Sequence, residues 1–174
     1  NERVLRARLE DAAFFWKEDL KRPLSARVED LKNVIYQEKL GSVYDKTMEM
    51  VKISRKICDL LGNKDDVKLV ERAAYLSKAD LVTGMVGEFS ELQGIMGREY
   101  ALKNGEDPRV AKAIAEQYMP TAAGNELPSD VIGAVVGIAE RAFNMVGAYK
   151  LGFQPTRSQD PYGLRRAIRC INEI

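Results

Sequence analysis

Apolar residues recur at three- and four-residue steps through most of the 174-residue chain, which is the spacing of one face of an α-helix. In the first twenty residues this stripe consists of Leu5, Leu9, Ala12, Trp16 and Leu20. We expect the stripe to face the core. No alternating strand pattern with a hairpin turn appears, although the residues around Tyr36 allow a short extended stretch. The sequence therefore predicts an all-α fold, a single helical domain with at most minor strand content.

Several helix ends can be read directly from local residues. Ser42 with Asp45 three positions later is typical of a helix start, and Gly62 lies where a left-handed residue would end the same helix. Asp107 and Asp160 each stand before a proline, which is favoured as the first residue of a helix because its missing N–H is not needed there. We therefore expect each of these aspartates to cap a helix whose first residue is proline.

Seven glycines fall inside helical patterns, where each costs about 1 kcal/mol relative to alanine. They are Gly84, Gly87, Gly94, Gly97, Gly133, Gly137 and Gly147. Two explanations fit: close packing between helices, or backbone left bare for a phosphate or a partner. None of these glycines belongs to a phosphate-loop or dinucleotide-binding motif, since those motifs need a preceding strand.

The sequence contains no histidine, which excludes Ser-His-Asp and Cys-His catalysis and histidine-aspartate metal centres. Its net charge of +1 excludes a binder that is basic throughout. Cys58 and Cys170 have no zinc-ligand spacing, so we expect two buried free thiols and a reducing, cytoplasmic location. The apolar run 131–139 is about half of the ~20 residues that a membrane-spanning helix needs, so no membrane partner is expected.

Charge is distributed unevenly along the chain. Residues 98–140 contain four basic and seven acidic side chains, a balance of −3, whereas residues 141–174 contain six basic and two acidic, a balance of +4. If the chain contacts RNA, we expect the contact in this last segment. The candidate cations are Lys150, Arg157, Arg165, Arg166 and Arg169.

Helical phasing separates the last three of these arginines from the apolar residues around them. At 100° per residue, Arg165, Arg166 and Arg169 lie within one arc, and the apolar residues of 164–174 lie on the other half. A guanidinium can hold two phosphate oxygens, which suits recognition of an RNA backbone. The alternatives are a solvated helix face, or pairing with acids of a neighbouring domain. For the basic stretch Lys52, Arg55 and Lys56, the solvated face is the preferred interpretation.

Four blocks of sequence resemble one known family. Residues 78–101 read KADLVTGMVGEFSELQGIMGREYA, in which EFSELQGIMG is distinctive. Three further blocks resemble the same family and stand in the family's order: residues 1–9 (NERVLRARL), 37–46 (QEKLGSVYDK) and 155–167 (PTRSQDPYGLRRA). The chain resembles the β-subunit of the bacterial two-subunit glycyl-tRNA synthetases over essentially its whole length. The resemblance implies that residues 1–174 form an internal helical domain, related to HD phosphohydrolases, of a longer β-subunit.

The chain departs from this family at two places that bear on HD chemistry. Gln117 stands where many relatives have histidine, and residues 139–143 read AERAF where they have Ala-Asp-Lys-Leu-Asp. An HD centre uses histidine and aspartate ligands to activate a metal-bound water, so we expect neither a catalytic residue nor a metal site here.

Two carboxylate pairs could still attract a magnesium ion without histidine. They are Glu88 with Glu91, and Glu106 with Asp107. The preferred interpretation of each pair is structural, either a solvated helix face or a helix cap.

The resemblance implies a functional context. Glycine activation, with its ATP and Mg²⁺, belongs to the separate α-subunit in this family, and the β-subunit supplies tRNA binding. We therefore expect a non-catalytic domain without its own cofactor, whose partners are the α-subunit, glycine tRNA and other β-subunit domains. One alternative is a purely architectural module without RNA contact. Another, disfavoured by the absence of histidine, is a residual metal-dependent phosphohydrolase.

Overall fold

The computed structural model describes residues 2–122, 124–153, 155, 159–160 and 162–174. Its α-helices are α1 (Glu2–Asp19), α2 (Val43–Leu61), α3 (Val67–Leu76), α4 (Gly84–Glu88), α5 (Ile95–Lys103), α6 (Pro108–Glu116), α7 (Val131–Lys150) and α8 (Leu164–Glu173). Three 3-10 helices cover Leu24–Asn33, Ala79–Val82 and Ser90–Leu92. Two short antiparallel strands, β1 (Ile35–Gln37) and β2 (Gly41–Ser42), form a hairpin. The predicted all-α class with minor strand content is confirmed.

The core is formed by α2, α3, α6 and α7, which pack against one another. The short α3 contacts all three of the others and contributes Val70, Ala73, Ala74 and Leu76, each fully buried. A second layer consists of α5 on α6 and the first 3-10 helix on α2. At the periphery, α1 packs mainly on α4, and α8 packs mainly on α7.

Local signals locate both ends of α2. The Ser42 hydroxyl accepts the amide hydrogen of Asp45, and the Asp45 carboxylate accepts the Ser42 amide hydrogen, which is a complete capping box. Gly62 ends the helix with φ of 68°. The Asp107 carboxylate likewise caps α6 at the Arg109 amide, directly before the proline that opens that helix. These predictions are confirmed.

The C-terminal end of α1 is anchored by a buried aspartate. Asp19 is 6% exposed and accepts hydrogen bonds from the amides of Gly84 and Met85, both at 2.9 Å, and from the Tyr100 hydroxyl at 2.8 Å. Its carboxylate therefore joins α1 to the first turn of α4 and to α5. Burial and the neighbouring Asp19 raise the pKa of the Tyr100 hydroxyl well above its ordinary value.

The N-terminal half of α1 does not face the core, so the prediction for Leu5 and Leu9 is wrong. Each is 62% exposed, because the helix has 18 residues whereas its main packing partner, α4, has five. Phe14 is also exposed, at 58%, but Phe15 packs on the domain's own core against Gly84. Of these two adjacent phenylalanines, only Phe14 therefore lies on the exposed apolar face of α1.

Close packing explains several of the helical glycines. A Cβ atom at Gly84 would lie 2.6 Å from the Phe15 ring, and one at Gly147 would lie 2.8 Å from Leu40. At Gly137 it would lie 2.9 Å from the Gln117 carbonyl oxygen. Gly87 has nothing within 4 Å, so packing does not explain every case.

Helix α7 is the most apolar helix among the described residues. By length and composition alone its 20 residues would suffice to cross a membrane, with a mean hydropathy of 1.4. In this fold α7 packs against α2, α3 and α6, and Ile132, Val135 and Val136 are fully buried among them. Its apolar character is thus used in the helical core.

Candidate nucleic-acid interface

Helix α8 begins after Gly163, whose backbone is left-handed with φ of 62°. The Asp160 carboxylate accepts the amide hydrogens of Leu164 at 2.8 Å and Arg165 at 3.0 Å, and the Arg165 amide in particular lowers the Asp160 pKa. It thereby satisfies first-turn amides that have no partner inside the helix. The prediction that Asp160 directly precedes the helix is wrong, because Gly163 takes that position. Pro161, predicted as the first helical residue, lies outside the described residues.

The two faces of α8 separate as predicted except at Ile168, which belongs to the apolar half but is 39% exposed. Leu164 and Cys170 are buried against α7, whereas Arg165, Arg166 and Arg169 are exposed. Arg166 and Arg169 form neither a hydrogen bond nor an ion pair with any described residue. We call the side of α8 that carries Arg165, Arg166 and Arg169 the arginine face. Two of its cations, Arg166 and Arg169, are therefore available to an anion from outside the domain.

Of the other two predicted cations, only Lys150 lies among the described residues, and it is not part of this face. Lys150 is exposed at the end of α7 and lines a different cavity of about 500 Å³ beside Lys39 and Val146. Arg157 lies outside the described residues. The basic stretch on α2 is partly engaged, because Lys52 pairs with Glu49 and Arg55 pairs with Glu71.

A pocket of about 400 Å³ lies between α7 and α8, next to the arginine face. We call it the α7–α8 pocket. Its apolar lining comes from Pro120, Leu164, Ala167 and Cys170. Its polar lining includes Gln117, Thr121, Glu140, Asn144, Tyr162 and Arg166. Sequence reasoning did not find this pocket, because it is formed by three segments, within residues 117–121, 140–144 and 162–170, that are far apart in the chain.

Arg141 shapes the wall of the pocket and is not available for RNA. Its guanidinium donates hydrogen bonds to the carbonyl oxygens of Gln117, Gly137, Tyr118, Met119 and Pro120. The side chain therefore holds the loop after α6 against α7, including the cis peptide bond between Met119 and Pro120. Part of the positive charge counted in residues 141–174 thus has a structural role.

A buried ion cluster lies beneath the pocket. Lys46 of α2 and Lys78, before the second 3-10 helix, both donate to Oε1 of Glu140, at 2.9 and 2.7 Å. Burial alone would raise the pKa of Glu140, but the two ammonium groups outweigh it and lower this pKa to about 2. Burial lowers the pKa of Lys46, although Glu140 opposes the shift. Glu140 is therefore held as a carboxylate.

Asp80 is a second buried carboxyl group close to this cluster. Its Oδ2 accepts the amide hydrogens of Gly94 at 2.6 Å and Gly97 at 3.2 Å, while Oδ1 has no partner among the described residues. Burial raises the pKa of Asp80, against the opposing effects of the Gly94 amide and the charge of Lys78. Gly94 and Gly97 therefore serve a carboxyl group of the domain itself rather than an external phosphate.

The side chains at positions 117 and 118 complete the cluster. The Tyr118 hydroxyl accepts hydrogen bonds from Lys78 at 3.0 Å and Gln93 at 2.6 Å, and burial raises its pKa well above the ordinary value. The Gln117 side chain, fully buried, donates from Nε2 to the carbonyls of Ser77 and Ile114. Its Oε1 has no partner in the part of the chain that the structure describes.

The arrangement is suited to structure and to binding. In the described ranges no group of three or more Cys, Asp and Glu side chains is placed to hold a metal ion. Of the carboxylates considered for magnesium, Glu88 pairs with Arg8, Glu106 pairs with Arg72, and Asp107 caps α6. The absence of catalytic residues and the relation to HD phosphohydrolases both stay predictions.

Lys46 and Lys78 were not recognised from the sequence. Lys46 had one usable signal: it follows Val43 by three residues and precedes Met50 by four, so it lies on the apolar face of α2. A lysine at such a position needs a buried acid, and that acid is 94 residues away in the sequence. Pattern reading along one helix cannot identify such a partner.

Fold and site together define a helical domain in which an arginine-bearing helix borders a polar pocket over a buried ion cluster. The sequence model of the glycyl-tRNA synthetase beta subunit family matches residues 1–174, and the chain belongs to this family. It is 56% identical over 175 residues to the glycine–tRNA ligase beta subunits of Geobacter sp. (strain M21) and Geobacter sulfurreducens, and 54% identical over 174 residues to that of Clostridioides difficile (strain 630). Each alignment covers 100% of this chain, which spans 25% of the length of these curated relatives.

Proposed function

We propose that this chain is a non-catalytic helical domain of a glycine–tRNA ligase β-subunit and that its arginine face contacts the tRNA backbone. The parent enzyme would join glycine to its tRNA in the cytoplasm, using ATP and Mg²⁺ on the α-subunit. Membership of the beta subunit family supports this assignment. The domain would then contribute binding and positioning and leave the chemistry to the partner subunit.

The proposed tRNA contact rests on the exposure of the arginine face. Arg166 and Arg169 are exposed on one side of α8 and have no hydrogen bond or ion pair to the rest of the described chain. Exposed guanidinium groups at the spacing of helical neighbours can bind successive phosphates of an RNA strand. Because phosphates are alike in every sequence, such contacts would position tRNA without reading its bases.

The proposal is tested in the reconstituted two-subunit ligase. Replacing Arg165, Arg166 and Arg169 together by glutamate should slow tRNA charging, while ATP–pyrophosphate exchange, which reports glycine activation, stays near the wild-type rate. A control variant with Lys52, Arg55 and Lys56 replaced by glutamate makes the same change in net charge on another helix. We expect the control to charge tRNA almost normally. Normal charging by the arginine variant in an assembled enzyme would reject the proposal.

A purely architectural role is the second candidate, and one observation favours it. Val4, Leu5, Leu9 and Phe14 of α1 are each more than half exposed, which is more apolar surface than one helix of a free domain normally leaves in water. Another part of the β-subunit would cover this surface. The domain would then serve as a scaffold, with or without an RNA contact.

Thiol labelling tests the architectural candidate. In Phe14→Cys, the new thiol should react much more slowly in the full β-subunit than in the 174-residue chain, whereas an exposed control, Lys64→Cys, should react at similar rates in both. The native Cys58 and Cys170 are buried and form a low background. Equal labelling of position 14 in the two proteins would remove the support for a covering domain.

A further inference from the structure

We propose that the α7–α8 pocket binds one unpaired nucleotide of RNA while the arginine face holds the neighbouring phosphates. This inference rests on the proposed RNA contact and deepens it, because it assigns a separate site to a nucleoside beside the phosphate contacts. It also makes the domain selective for single-stranded or looped RNA over a continuous duplex.

The pocket has a suitable size and position. Its volume of about 400 Å³ lies within the range of ~300–1,000 Å³ that is usual for small-molecule sites. Arg166 belongs both to its lining and to the arginine face. A strand with a phosphate bound to Arg166 would therefore lie next to the pocket.

Several polar side chains of the pocket lining keep at least one atom without a hydrogen bond to the described residues. Gln117 lines it, is fully buried, and has an Oε1 atom without a hydrogen-bond donor among the described residues. Glu140 also lines the pocket, and its side chain is 12% exposed. Its Oε1 atom binds Lys46 and Lys78, whereas Oε2 accepts no hydrogen bond from the described residues. Asn144 accepts the Tyr36 hydroxyl through Oδ1, which leaves its amide group as a donor.

These groups define the chemistry of the ligand. Because Glu140 stays ionised, it can only accept hydrogen bonds, so the ligand must present N–H or O–H groups to it. Nucleobases carry such donors on their edges, and a ribose carries them as hydroxyl groups. A phosphodiester group has no hydrogen to donate, so it cannot satisfy the Glu140 carboxylate. The pocket therefore fits the nucleoside part of a nucleotide rather than its phosphate.

An aromatic residue stands at the pocket wall. Tyr162 lines the pocket, is 52% exposed, and its ring lies 4.5 Å from that of Phe153 between centroids. An exposed aromatic ring beside cationic side chains is the usual means by which proteins hold an unpaired base. Stacking of this kind contributes about 1–3 kcal/mol per base, or roughly 5- to 150-fold in affinity.

The experiment compares two RNA ligands on the 174-residue chain by fluorescence anisotropy. The ligands are a single-stranded decamer and a blunt duplex of the same length. Two variants change the pocket: Tyr162→Ala removes the ring, and Ala167→Leu fills the space. Tyr149→Ala removes a tyrosine that is equally exposed but does not line the pocket. Circular dichroism checks that each variant keeps its helix content.

We expect the wild-type chain to prefer the single strand. Both pocket variants should weaken single-strand binding at least about fivefold and leave duplex binding unchanged. The Tyr149→Ala control should bind both RNAs like wild type. With a decamer carrying one 2-aminopurine, wild-type binding should quench its fluorescence, and Tyr162→Ala should restore it.

Different outcomes separate this inference from the proposed function. If both pocket variants bind the single strand like wild type, while the triple arginine reversal abolishes binding of both RNAs, the pocket inference is overturned and the arginine contact remains. If the wild-type chain binds neither RNA, the pocket inference falls. In that case the charging assay on the ligase decides the proposed function separately.

Discussion

A single carboxylate organises the interior beneath the pocket. One carboxylate oxygen of Glu140, Oε1, forms ion pairs with both Lys46 and Lys78, and these two lysines are 6% and 2% exposed. Removing one member of a buried ion pair costs far more than removing an exposed pair, because the remaining charge stays unsolvated. Glu140 therefore fixes the relative positions of α2, α7 and the segment before the second 3-10 helix.

Replacing Glu140 by glutamine should destabilise the chain by about 3–5 kcal/mol at pH 7. The folded-state pKa of Glu140 is about 2, below its ordinary 4.5, so its contribution is complete above pH ~4.5 and is lost as the pH falls toward 2. Urea unfolding at pH 7, 4.5 and 3 measures this. The difference between wild type and Glu140→Gln should shrink as the pH falls.

The control for this substitution is Glu49→Gln. Glu49 forms an exposed pair with Lys52, and such pairs contribute less than about 1 kcal/mol. A difference between wild type and Glu140→Gln that is small, or that does not change with pH, would contradict the assigned role of the cluster.

Two glycine substitutions should have opposite effects. Gly137→Ala places a methyl group 2.9 Å from the Gln117 carbonyl oxygen and the Arg141 guanidinium, which should cost about 1–3 kcal/mol. Gly87→Ala meets open space within α4 and should be neutral or stabilise the chain by up to about 1 kcal/mol. Thermal unfolding of both variants measures this. Destabilisation by Gly87→Ala would show that its bare backbone is used in another way.

At the scale of whole elements, local signals predicted what local geometry controls. Ser42, Asp45 and Gly62 determine the ends of α2 within one helical turn each, and all three were readable from the sequence. The exposure of Leu5 and Leu9 was not readable, because it depends on the length of the partner helix α4. A stripe of apolar residues predicts which face can be buried, but not how far a neighbour extends along it.

The start of α8 and the pocket beside it illustrate the same limit. Asp160 was correctly identified as binding amides at the start of a helix, but the left-handed Gly163 moved that start three residues along the chain. The arginine face followed from helical phasing alone. The pocket required the loop held by Arg141, which joins residues that lie 21 to 24 positions apart.

The cap of α6 provides a test at the same scale. Asp107→Ala removes the acceptor of the Arg109 amide and should lower the free energy of unfolding by about 1 kcal/mol. Asp107→Asn keeps a capping oxygen and should recover most of this loss. Urea unfolding of the two variants measures the difference. Equal stability of Asp107→Ala and wild type would show that the cap contributes nothing.

At the scale of the whole molecule, the domain combines a closed interior with an open arginine face. Buried charges are matched inside, as in the Lys46, Lys78 and Glu140 cluster, whereas Arg166 and Arg169 of the arginine face are left for an external anion. The central claim is that this anion is the phosphate backbone of tRNA.

The most direct test is the salt dependence of tRNA binding by the reconstituted ligase. Each phosphate contact contributes about 0.7–0.9 to the slope of log affinity against log salt concentration. Reversing Arg165, Arg166 and Arg169 to glutamate should therefore weaken glycine tRNA binding at low salt and make this slope shallower by about 2. Binding curves of wild type and variant that stay superimposed at every salt concentration, in a fully assembled enzyme, would contradict the account.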